Sequence, residues 1–61
     1  MQIVIEPVSL NRYRGILLLD GQVENTTIQP RPGCCVRNLL NSLMLKHGAP
    51  DGTITIEIDG W

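Results

Sequence analysis

Apolar and polar residues alternate along Met1-Gln2-Ile3-Val4-Ile5-Glu6, with Met1, Ile3 and Ile5 on one side and Gln2, Val4 and Glu6 on the other. This period of two, carried by β-branched side chains, predicts a first strand that stops at Pro7. The polar turn Ser9-Leu10-Asn11-Arg12 leads into a second run, Tyr13 to Leu19, which meets Gln22 to Ile28 across Asp20-Gly21. Asp-Gly between two β-like runs predicts a hairpin, because both central positions of a type I′ turn take positive φ. With Asp20-Gly21 as the loop, Leu19 faces Gln22, Leu18 faces Val23, Leu17 faces Glu24, Ile16 faces Asn25 and Tyr13 faces Ile28. One face of the hairpin then carries Ile16, Leu18 and Val23, and the other Tyr13, Leu17, Leu19 and Ile28. Neither side of the second strand is polar, so the pattern predicts cover on both faces.

A helix supplies one cover. Pro30-Arg31-Pro32-Gly33 interrupts the strand pattern, and from Cys34 to His47 the residues Val36, Leu39, Leu40, Leu43 and His47 recur at helical spacing, with Met44 beside them. Gly48 and Pro50 mark its end, and Lys46 and His47 suit the negative end of the helix dipole. Leu45 falls among Asn38, Asn41 and Ser42, off the apolar stripe. Asp51-Gly52 turns the chain into Thr53 to Asp59, where Ile54, Ile56 and Ile58 alternate with Thr55, Glu57 and Asp59. The order β-β-β-α-β predicts a single small α+β domain over residues 1–61, an antiparallel or mixed sheet with one helix packed on one face.

Size sharpens the need for the second cover. A chain of 61 residues buries only about 60% of the surface its unfolded form exposes, and chains this short commonly lean on disulfides, metals or partner subunits. The two cysteines, Cys34 and Cys35, are neighbours that do not readily bridge each other, and reduced thiols fit the cytoplasm. Cys34, Cys35 and His47 are the only soft or borderline metal ligands, and about 18 Å of helix separates Cys34 from His47, so neither a metal nor another cofactor is expected. A partner subunit remains, and the chain is read as a homodimer. Its longest apolar run, Ile16 to Leu19, is far short of the roughly 20 residues of a membrane span, and the N-terminus has no signal-peptide plan.

The candidate sites are sparse. Arg31, Gly33, Cys34 and Cys35 open the helix, where free N–H groups favour an anion or a thiolate; the competing reading is a packed cysteine beside a capping glycine. Arg12-Tyr13-Arg14, joined by Arg31 and Arg37, combines charge with an aromatic as nucleic-acid contacts do, but the net charge of -1 gives no long-range attraction. Glu57 and Asp59 share a face as a solvated acidic pair. No catalytic constellation or P-loop, dinucleotide or zinc-finger motif is present, so no enzyme is expected. The sequence reads best as a non-enzymatic protein-protein interaction module, an accessory or inhibitory protein of bacterial or phage type, binding itself and a partner protein through Tyr13, Leu17, Leu19, Ile28, Leu45 and Trp61. Nucleic-acid binding is the second reading.

Overall fold

The first strand runs through its proline. In the computed structural model of the chain, which describes residues 1–49 and 52–59, strand β1 spans Gln2–Ser9. Pro7 fits because of the direction in which it points. The Thr55 N–H donates to the Met1 carbonyl at 3.1 Å and the Asp59 N–H to the Ile5 carbonyl at 2.8 Å, so the odd-numbered residues of β1 turn their backbone groups toward the last strand, β4 (Thr55–Ile58). Among the described residues that pairing reaches only Ile5 and Asp59, so the absent N–H of Pro7, on the β4 side, breaks none of the described ladder bonds.

Strands β2 (Arg12–Leu19) and β3 (Gln22–Gln29) complete a mixed sheet of order β3-β2-β1-β4, in which only β1 and β4 run parallel. Asp20 and Gly21, at φ 51° and 78°, form the left-handed pair that the hairpin requires. The register beyond that turn corrects the simple expectation. Leu18 pairs with Val23, but Leu17 pairs with Asn25, which leaves Glu24 as an extra residue in a β-bulge. Tyr13 consequently pairs with Gln29, and Ile28 pairs with Arg14 on the opposite face. One inserted residue reverses the facing of every residue that follows it.

Helix α1 (Pro32–His47) starts two residues earlier than the periodicity indicates. Pro32 suits the first turn, where its missing N–H has no helical partner to lose. Gly48, at φ 79°, closes the other end by donating its N–H to the Met44 carbonyl at 3.0 Å. Cys35, Leu39 and Leu43, spaced one turn apart, are buried against Ile3, Ile5 and Leu17 to form the core. The apolar stripe is thus centred on Cys35 and Leu39, with Val36 and Leu40 on its flank. The helix lies chiefly over β2 and β3. It leaves the inward side of β4 thinly covered, and Ile56 is 45% exposed although it pairs with the fully buried Ile3.

Candidate interaction surface

Pairing fixes what the helix-free side of the sheet presents. Val23 of β3 lies beside Leu18 of β2, which lies beside Gln2 of β1 and Thr55 of β4. The next row is Thr26, Ile16, Val4 and Glu57, and the one after it Ile28, Arg14 and Glu6. Val4, Ile16 and Leu18, half-buried, with the exposed Val23 and Ile28, therefore form an apolar surface that no other element among the described residues covers. Val23 is 62% and Ile28 47% exposed, and Val8, farther along β1, is also exposed.

Charge borders this surface asymmetrically. Arg14 donates from Nη1 to Glu6 Oε1 at 3.1 Å, with both side chains nearly half exposed. Arg12 follows Arg14 along β2 on the same face. On the other side Glu6, Glu57 and Asp59 line a shallow depression with Val4 and Ile58. The face thus has a basic column on β2 and an acidic flank across β1 and β4.

The interface residues expected from sequence divide differently. Leu17 is 1% exposed beneath the helix, and Tyr13 and Leu19 pack against the same core, so these three belong to the covered face. Of the described members of the expected set, Ile28 alone reaches the open face, and it arrives there through the bulge. Leu45 is 91% exposed on the outer side of the helix, away from the sheet. Trp61 lies outside the described residues. Val4, Ile16, Leu18 and Val23, the centre of the open face, were absent from the expected contact set. Their signal is the doubly apolar second strand; which of its two faces is covered follows from the packing of Cys35 and Leu39 on Leu17, which strand alternation alone does not give.

The basic and thiol candidates do not assemble into sites. Strand alternation sends Arg12 and Arg14 to the open face and Tyr13 to the helix side, so the aromatic does not lie between the two guanidinium groups. Arg31 occupies the helix N-cap and Arg37 is exposed on α1. Gly33 and Cys34 are exposed. Cys35 is fully buried and donates its thiol to the Tyr13 carbonyl at 3.4 Å, and burial pushes its pKa up. It is a packing residue.

The bulge also creates a feature that the sequence did not announce. Glu24, turned toward α1, accepts a hydrogen bond from Lys46 Nζ at 2.9 Å and lies 3.3 Å from His47 Nε2. The Lys46 hydrogen bond, reinforced by His47, holds its carboxyl below the usual carboxylate range. Leu17, Asn25, Ser42 and Leu43 complete a cavity of about 200 Å³ around these charges. His47, in the last helical turn with Lys46 as expected, thus also ties that turn to β3. Among the described residues no three His, Cys, Asp or Glu side chains gather as a metal site, and no helix is long and apolar enough to cross a membrane.

No protein family, curated protein or solved structure matches the chain. The chemistry of its own surfaces carries the functional reading.

Proposed function

We propose that this chain is a non-enzymatic protein-interaction module, an accessory or inhibitory protein of the cytoplasm, and that it binds through the open face of its sheet. The observation that carries this reading is the contiguity of Val4, Ile16, Leu18, Val23 and Ile28 on a sheet face that the helix does not reach. Antiparallel sheets that face water on one side alternate apolar with polar residues, whereas β2 is apolar on both sides over Ile16 to Leu19. Contiguous apolar surface with a polar rim marks association sites. Of the groups with chemical potential, Cys35 is engaged within the core and Glu24 with Lys46 and His47, while Cys34 is exposed on the helix, away from this face.

The test is affinity capture with the purified protein as bait, offered both its own untagged copies and an extract of the cells that produce it. Ile16→Lys/Leu18→Lys is expected to lose what the wild type retains, while Leu45→Lys keeps it. Retention of the same proteins by the double variant, with its circular dichroism unchanged, removes the reading.

A further inference from the structure

Within the reading of the open face as a contact surface, we infer that its occupant is a second copy of this chain, packed sheet against sheet about a two-fold axis parallel to the strands. The axis passes between β1 and β2. Of two observations, the charges select the arrangement, and the area independently selects the face.

The first is the distribution of charge. Arg14 and Glu6 are directly paired neighbours on β2 and β1, so a two-fold between these strands lays Arg14 of each copy over Glu6 of the other. The same rotation lays β2 over β1 and β3 over β4, so Arg14 meets Glu6 while Glu57 and Asp59 lie across from β3. One row away it lays Ile16 against Val4 of the second copy. At the Arg14–Glu6 and Ile16–Val4 rows of β1 and β2 the face is therefore complementary to itself, as an isologous interface requires, while Leu18 meets Gln2 and Val23 meets Thr55 at its end. A two-fold perpendicular to the strands instead stacks β2 on β2, and with Ile16 at its centre it sets Arg14 over Leu18.

The second is area. A stable interface buries roughly 800 Å² on each partner, and this molecule measures 33 × 19 × 16 Å with 4312 Å² of accessible surface. Only a broad side approaches that footprint. Of the two broad sides, one is the outer surface of α1, where the exposed Leu45 stands singly among Arg37, Asn38 and Asn41. The other is the open sheet.

Exchange of charges between copies gives a test that an ion pair within one chain cannot mimic. Arg14→Glu makes both paired positions acidic, and Glu6→Arg makes both basic. Each variant alone is expected to self-associate at least about tenfold more weakly than wild type, with its circular dichroism unchanged. Their equimolar mixture is expected to regain wild-type association, with the mixed dimer dominant in native mass spectra. A second pair, Val4→Asp and Ile16→Lys, repeats the exchange at the apolar centre and serves if a charge reversal unfolds the chain. A dimeric wild type whose variant mixtures fail to recover overturns the arrangement. A wild type that stays monomeric overturns the second copy as occupant, and leaves the interaction reading standing if Ile16→Lys/Leu18→Lys still abolishes capture of another protein. Wild-type association that survives every one of these substitutions overturns both.

Discussion

Gly15 and Cys35 set how closely the helix approaches the sheet. A β-carbon built on Gly15 meets the Cys35 Cβ at 2.9 Å and Leu39 Cδ1 at 3.0 Å, closer than side chains normally pack. Only glycine lets α1 settle onto β2 at this height. Gly15→Ala is expected to cost about 1–3 kcal/mol, as overpacking of a tight core does, measured by urea denaturation. Adding Cys35→Ala should not restore stability, because the opposing atom is the Cβ that alanine retains. A neutral Gly15→Ala would show that the helix rides higher than this contact implies.

Two adjacent leucines should respond in opposite ways. Leu17 is in the core and Leu18 is on the open face. Leu17→Ala is expected to lose about 2–5 kcal/mol, whereas Ile16→Lys or Leu18→Lys should cost the folded monomer at most about 1 kcal/mol. Denaturation at concentrations low enough to exclude association separates the two positions. Equal losses at Leu17 and Leu18 would contradict the assigned facing.

The cysteines should differ in reactivity. Cys34 is exposed and Cys35 buried, so native protein is expected to react with about one equivalent of a thiol reagent per chain, rising to two on unfolding. Folding raises the Cys35 pKa through burial. Its protonated form therefore supports the fold fully below the ordinary thiol value near 9.0, and that support is lost as pH climbs through the folded value. Cys35→Ala should flatten this alkaline limb.

Glu24 behaves in the reverse sense. Its carboxyl is lowered chiefly by Lys46 and then by His47, so the contribution is present above the ordinary value of 4.5 and fades as pH falls through the folded value. Because the group is exposed, the effect is small and screened by salt. Glu24→Gln is expected to remove the part of the acid limb that salt also removes. An acid limb identical in the two proteins would mean that the clamp on the last helical turn contributes nothing.

Much of the architecture was legible from short-range chemistry. Asp20-Gly21 specified its turn, Gly48 its helix end, and alternation in the last strand the inward side of Ile54, Ile56 and Ile58. Two features escaped for physical reasons. Strand β1 passes through Pro7 because its missing N–H lies on the β4 side, where it breaks none of the described ladder bonds, and that is a fact about strand order that no local pattern carries. The bulge at Glu24 exchanged the facing of Ile28, and it depends on pairing rather than on composition. The sequence recognised that β2 needs cover on two sides but assigned Leu17 and Leu19 to the free one. The structure gives them to the helix and leaves Ile16 and Leu18 outside. The Glu24, Lys46 and His47 cluster was invisible because Glu24 lies more than 20 residues from the other two and meets them only through the bulge.

The most direct test of the open face is sedimentation equilibrium of the wild type and Ile16→Lys across a concentration series, with circular dichroism on the same samples. The expected result is a reversible wild-type dimer and a variant that stays folded and monomeric throughout. A variant that dimerises as tightly as the wild type would contradict the assignment of this face as the surface through which the protein binds.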